Sequence, residues 1–537
     1  MDIRPAVVLP AAATATPESI DAIRQWNAEG RMPAKNGFVR PIVDAVHVSL
    51  RANDTAKQSS AVSGRGHMTS TATAITWSGS FRVEKAAELR LHLEEITLPA
   101  GAMMWVYGNS GEAIAFDSSL VDDRGGLWTP SVYGDTAHLE VEIPANSTAG
   151  FVVRELLEIV ANALTPSPSD ISCLVDAACI STATNSKIDA LKRATAQLAY
   201  VKGGSGYVCT GGLLNSRAGD FVPYLLTANH CISDQSSASS LQATWDYARA
   251  SCNGAIPSRS SFPKSTGATL LATSASSDFT LLRLNSVPAG RWFLGWSASS
   301  LASGTSLCRV SHPVPDEYGI VLPQTYSTTY VDNTTAACSS RPRPNTLYST
   351  YFQGATWGGS SGSPVVYVTQ GDAYVVGQLT GTCSFTGSGD CDFRTRNMDG
   401  AFSVTYSSIT PWLESSGPSP AVCTPSASTV CLSGDRFAVS ATWQFPDGKS
   451  GPATGVRITS DTGYFWFIQS SNVELVVKVL NACSLNAGVW VFAGGLTNVG
   501  VVITVRDTKT GSVKTYTNPV NVAFQPVQDT SAFSSCP

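Results

Sequence analysis

Charged residues are scarce in this chain. Asp, Glu, Lys and Arg make up 14% of 537 residues, well under the quarter usual for soluble proteins. The net charge is -5, with no basic stripe, which argues against nucleic acid or an anionic membrane surface as a partner. No apolar run reaches the roughly 18 residues of a membrane helix, so no membrane span is expected. Histidine occurs only six times, at His47, His67, His92, His138, His230 and His312, never as HExxH or as a close pair. No glycine-rich phosphate loop opens a helix, and no CxxC or Cys/His zinc spacing exists. Neither a metal nor a cofactor is expected, and a plain polar loop is the better reading of Gly387 to Asp392 than a weak calcium site.

Cysteine is missing from the first 172 residues, yet 13 follow between Cys173 and Cys536. In a Ser/Thr-rich chain, spread cysteines read as disulfides formed in an oxidising compartment, so the protein is expected to be secreted. The odd count leaves at least one thiol free or paired with another molecule. Ala6 to Ala15, broken by Pro10 and without a charged leading stretch, makes a poor secretion leader. Any leader is expected to have preceded Met1.

The chain is too long for one core but apolar enough (43%) to bury several. The first 50 residues are rich in Pro and Ala and read as an N-terminal tail with one helical stretch near Ser19 to Asn27. From residue 51 to 165 the pattern is β: Leu89, Leu91 and Leu93 alternate with polar residues, as do Leu139, Val141 and Ile143. This segment predicts a β-rich domain of sandwich type. A Pro/Ser linker, Ala163 to Ser169, precedes a middle domain over 170–413. A second linker of similar composition, Glu414 to Ser426, leads into a C-terminal β-sandwich module over 424–537, in which Phe437, Val439, Ala441, Trp443 and Phe445 alternate. Its Trp443, Tyr464, Trp466 and Trp490 read as core rather than as a ligand platform. Cys423, Cys431, Cys483 and Cys536 can pair in three ways.

Three strings in the middle domain carry chemistry: Leu226-Thr-Ala-Asn-His230-Cys231, Ser277-Asp278-Phe-Thr-Leu-Leu282 and Gly358-Gly-Ser-Ser361-Gly-Ser-Pro364. A serine hydroxyl becomes a nucleophile when an imidazole takes its proton and a buried carboxylate fixes that imidazole. Backbone N–H groups must also face the developing oxyanion. Glycines beside the serine permit the tight turn that aims them inward. His230, Asp278 and Ser361 supply the three groups, and the N–H groups of Gly359 and Ser361 the oxyanion hole. A lone His before Cys, an Asp before a strand or a Gly/Ser stretch is ordinarily structural. All three inside one β-rich domain are far more specific.

These strings resemble the chymotrypsin-like serine proteases, and in detail the bacterial lysyl endopeptidase family. Cys173 and Cys179, Cys209-Thr-Gly, Trp245-x-Tyr247 before Cys252, and Gly377-Gln378-Leu379 add to the match, which covers roughly residues 170 to 413. The resemblance implies a double six-stranded β-barrel, peptide-bond hydrolysis through an acyl-enzyme, and a removable propeptide before the protease. It also implies the pairings Cys173–Cys383, Cys179–Cys252 and Cys209–Cys231. The expected fold class is thus all-β, a chymotrypsin-like double barrel flanked by β-sandwich-like domains.

The match breaks where the family sets specificity. The Asp that receives a substrate lysine falls at Asn397, with Asp399 two residues on as a substitute, and a His expected after Gly-Gln-Leu is Thr380. The expected activity is a secreted serine endopeptidase acting as a monomer on polypeptide substrates. The competing readings are a catalytically silent binding or adhesion protein and an esterase on the same scaffold.

Overall fold

The computed structural model describes residues 7–8, 16–51, 61–63, 66–109, 113–122, 124–160, 173–315, 319–333, 341–369, 372–383, 396–414, 423, 425–433, 435–482, 488–508 and 512–533. The linker Ala163 to Ser169, most of the second linker, the Gly387 to Asp392 loop, and Cys483 and Cys536 lie outside them. The chain divides into two compact units. One holds the N-terminal domain and the barrel strands, the other the C-terminal module together with Asn215–Val222, Ala289–Arg291 and the chain from Thr410. Among the described residues no helix is long and apolar enough to cross a membrane.

The N-terminal domain is a sandwich of two sheets. Ala74–Arg82, Thr136–Pro144 and Met103–Tyr107 lie at the centre of one. The other is built on β1 (Ala34–Leu50), β2 (Ala86–Thr97) and β3 (Ala149–Val160). The period-two positions do fill one core. Leu89, Leu91 and Leu93, with Leu139, Val141 and Ile143, are buried around Trp77, whose ring meets Phe151 edge-on at 5.3 Å.

Residues 1–50 were expected to form a tail, and here the structure differs. Thr16 caps helix α1 (Pro17–Ala28) by accepting the Ser19 N–H, with Pro17 in the first turn where its missing N–H costs nothing. The chain then enters β1, whose far half (Val46, Val48, Leu50) alternates into the sandwich core. Pro41 interrupts the apolar alternation and masks it in the sequence. Opposite Pro41 the register with β3 shifts between Val153 and Glu155, so the missing N–H falls at an irregularity of the ladder.

The near half of β1 pairs antiparallel with β5 (Ser205–Leu214), a strand of the protease, so the N-terminal sheet and the first barrel form one 12-stranded sheet. That barrel contains β4 (Thr195–Lys202), β5, β6 (Tyr224–Ala228), β7 (Gln242–Trp245), β8 (Lys264–Thr266), β9 (Ala268–Ser274) and β10 (Phe279–Leu284). Its core includes Leu198, Tyr200, Leu213, Leu225, Trp245 and Leu282. The second barrel runs through β11 (Ser306–Ser311), β12 (Thr325–Val331), β13 (Thr346–Gln353), β14 (Pro364–Val368), β15 (Ala373–Cys383) and β16 (Arg396–Ala401). Its ladder β12-β11-β14-β15-β16-β13 is closed by direct pairing of β12 with β13, which leaves these six strands without a free edge. The fold is therefore all-β, with the double barrel the motifs implied.

The C-terminal unit is a sandwich of two five-stranded sheets. Phe437, Val439 and Ala441 are buried as their alternation predicts, while Trp443 and Phe445, nearer the strand end, only pack against that core. Tyr464, Trp466 and Trp490, expected as core, are half-buried and stand outside the buried cluster.

Candidate active site

Strand register brings His230 and Asp278 together. β6 ends two residues before His230, β10 starts one residue after Asp278, and Ala228 stands opposite Phe279. Asp278 has a left-handed backbone, φ 53°, which Asp tolerates better than most residues. Its carboxylate turns back onto the histidine loop. Oδ1 accepts the His230 backbone N–H at 2.9 Å, and Oδ2 lies 2.8 Å from His230 Nδ1. The Gln378 amide donates to the Ser277 and Asp278 carbonyls at 2.7 and 3.3 Å and pins the turn. Asp278 is 1% exposed, so these bonds hold a desolvated carboxylate. A cation, Arg341, approaches Oδ2 at 4.0 Å.

Cys209 and Cys231 are bridged, tying β5 to the residue after His230. Their sulfurs and a histidine nitrogen lie within 4.8 Å of one another. Disulfide sulfurs carry no thiolate charge, so this cluster reads as a brace on the histidine loop rather than a ligand set.

Ser361 lies on the loop that enters β14 of the second barrel. Within it the Ser360 N–H bonds the Trp357 carbonyl, the Ser363 N–H the Ser360 carbonyl and the Gly362 N–H the Leu379 carbonyl, at 3.0, 3.0 and 2.7 Å. Gly359 and Gly362 both have positive φ, 87° and 79°. A Cβ at Gly362 would strike Thr227 Oγ1 and come to 2.5 Å from the Thr210 carbonyl. The two barrels meet at this loop: the Thr210 N–H donates to the Ser361 carbonyl at 2.8 Å, and Thr210 Oγ1 to the Gly359 carbonyl at 2.9 Å. The Ser361 hydroxyl faces Met32 Sδ at 3.7 Å. Among the described residues no hydrogen bond joins Ser361 to His230.

The expected specificity residues all lie on β15 and β16. Asp399 is fully buried and its two oxygens are 2.7 and 2.8 Å from one guanidinium nitrogen of Arg309, itself 1% exposed. Burial pushes the Asp399 carboxyl up while Arg309 draws it back down. Asn397 is buried too, and its Oδ1 accepts the Tyr351 hydroxyl at 2.7 Å and the Thr356 hydroxyl at 3.1 Å. Its Nδ2 has no partner among the described residues. Thr380 is 8% exposed. Residues two apart on a strand share a face, but the pairing of β15 with β16 shifts between Leu379 and Gly381, at Thr380. Asn397 and Asp399 nevertheless have different partners.

Cys179–Cys252 is formed, and Cys173 and Cys383 are each disulfide-bonded, as their expected pairing requires. In the C-terminal unit Cys423 pairs with Cys431. A free thiol of the odd set is Cys308, buried, with its pKa pushed up to about 11 by that burial. Motif reading missed Arg309, Thr210, Gln378's hold on the Asp278 turn, and Met32. Arg309 had a faint signal, a cation inside the otherwise uncharged strand Ser306–Ser311.

Two barrels, with a half-buried His230 held by buried Asp278 and the Ser361 loop at their junction, have the architecture of a chymotrypsin-like protease. Residues 169–402 match the model of the lysyl endopeptidase C-terminal domain, and residues 58–153 that of the lysyl endopeptidase N-terminal domain. A lysyl endopeptidase of Pseudomonas aeruginosa is 28% identical over 339 residues, spanning 60% of this chain and 71% of that protein. Among solved structures, the protease Anisep from Arthrobacter nicotinovorans is 19% identical at a TM-score of 0.30, covering 42% of this chain and 98% of its own. An inactive form of Rv3671c from M. tuberculosis is 12% identical at 0.28, covering 48% and 99%. The chain is a protease related to the lysyl endopeptidases.

Proposed function

We propose that the protein is a secreted serine endopeptidase, made as a precursor, that cuts peptide bonds through His230, Asp278 and Ser361. His230 takes the Ser361 proton as the hydroxyl attacks the carbonyl carbon, and returns it to the departing amine. Asp278 keeps the proton on Nδ1 and balances the imidazolium. The N–H groups of Gly359 and Ser361 receive the oxyanion. Water then attacks the acyl-enzyme, with His230 again as base. The observation that carries this reading is the two-point hold of buried Asp278 on His230, a desolvated carboxylate with little structural reason to face an imidazole. The disulfides of the protease support secretion.

The structure also favours a pocket without a free carboxylate. Asn397 offers an amide, and Asp399 is engaged by Arg309. An amide accepts a hydrogen bond but does not neutralise an ammonium, so a weaker preference for lysine than the relatives' name suggests is expected. The test of catalysis is Ser361→Ala in purified protein. Because the triad acts as a unit, peptide hydrolysis should fall by several orders of magnitude, with unchanged folding. Retained turnover in that variant would overturn the assignment and favour hydrolysis by another group.

A further inference from the structure

The residues between α1 and the sandwich half of β1 lie across the active site. Met32 Sδ stands 3.7 Å from Ser361 Oγ. Two residues on, Ala34 pairs with Val208 of β5; then Lys35 pairs with Tyr207, and beyond a register shift Gly37 pairs with Gly206 and Phe38 with Ser205. β5 is also the strand that the Cys209–Cys231 bridge ties to His230. A departing amine must lie on the histidine side of the nucleophile, because the histidine has to protonate it. The segment after Met32 thus follows the path of a leaving peptide, held as an added β-strand in the way many extended peptides are recognised.

The fit is built on both sides. Ala34 is buried in an apolar pocket with Val208, Tyr247, Val314 and Val321. On the protease side Gly319 has φ 88°, and a Cβ there would collide with the Lys35 carbonyl and come to 2.8 Å from Asn36 Cα. Helix α1 clamps the strand from outside. Trp26 Nε1 donates to the Pro33 carbonyl at 2.8 Å, Asn27 Nδ2 to the Lys35 carbonyl at 2.9 Å, and the Lys35 N–H to Asn27 Oδ1 at 2.9 Å. The Lys35 ammonium lies 4.2 Å from the Trp26 ring centroid. Residue 33 is a proline, so the bond after Met32 joins a nitrogen that carries a ring carbon where an ordinary substrate carries hydrogen. The Asn36 amide, 2% exposed, has no partner among the described residues, a cost that favours release.

We propose that Met32–Phe38 is a built-in substrate mimic that fills the leaving-group side of the cleft, with Ala34 in a subsite for small apolar side chains, and keeps the chain latent. This rests on Ser361 being the nucleophile. The test measures the rate at which a fluorophosphonate labels the full chain, its integrity checked by intact mass, with Ser361→Ala as the control for the labelled atom. Asn27→Ala removes two of the clamp's three hydrogen bonds and lies outside the barrel strands; Ala34→Arg cannot enter the pocket. Each should label about ten-fold faster or more than wild type, equivalent to about 1.4 kcal/mol lost from the closed state. Far-UV circular dichroism and melting curves check the fold, and if Ala34→Arg does not fold, Asn27→Ala decides. Wild type labelling as fast as the folded variants would refute the mimic and leave the serine peptidase standing. Folded chains that neither label nor cut peptides in any form would instead overturn the nucleophile itself, and the mimic with it.

Discussion

Asp399→Asn separates a structural carboxylate from a specificity carboxylate. In the wild type both charges of the Arg309–Asp399 pair are removed from water, at 1% and 0% exposure, and joined by two contacts of 2.7 and 2.8 Å. Arg309 also reaches the Ser363 hydroxyl at 3.3 Å, two residues from Ser361. Removing one charge leaves the other buried without compensation, which costs about 3–5 kcal/mol. At about 2–4 °C per kcal/mol for a domain of this size, the melting temperature should drop by roughly 6–20 °C. A double variant, Arg309→Met with Asp399→Leu, should recover most of that loss, since an apolar pair of similar volume is often neutral. Thermal unfolding of the three proteins reads stability. A peptide-library digest of each, with mass-spectrometric identification of the new termini, reads specificity. The cleavage preference should survive Asp399→Asn. If the wild type instead cuts strictly after Lys or Arg and Asp399→Asn abolishes that choice with little loss of stability, then Asp399 faces the substrate and the reasoning from its pairing is wrong.

Three further outcomes are expected. Non-reducing peptide mapping should join Cys209 to Cys231, and replacing both by Ser should cost about 2–4 kcal/mol in urea unfolding. His312 is buried, its Nδ1 3.3 Å from the Leu322 carbonyl, and burial lowers its pKa to about 3. The unfolded chain therefore binds the extra proton between about pH 6.5 and 3, so stability should fall on acidification through that window. His312→Phe should flatten that fall, and an unchanged pH dependence of the urea midpoint would count against it. Maturation should cut within residues 163–172, just before the first cysteine, which N-terminal sequencing of active secreted enzyme reads directly; a start well upstream would mean that the sandwich domain is retained.

His230, Asp278 and Ser361, the proposed catalytic groups, could be picked out from the sequence because each sits in a local string whose spacing to glycine, cysteine or an apolar run is what that chemistry would require. The strands of both sandwiches were legible for a similar reason: Leu89, Leu91 and Leu93 declare a buried face by period two alone. Where alternation is interrupted, as at Pro41 in β1, the strand reads as tail, and only its partner β3 reveals it. Asp399 and Asn397 could not be told apart from spacing, since residues two apart share a face. The approach of Arg309 from 90 positions away, a long-range fact, is what engages Asp399 and leaves Asn397 with other partners. Met32 lies 329 positions from Ser361, with nothing in either string to announce the other. Local chemistry is written locally in this protein; which groups are neutralised, covered or left open is decided by strands that meet only in three dimensions.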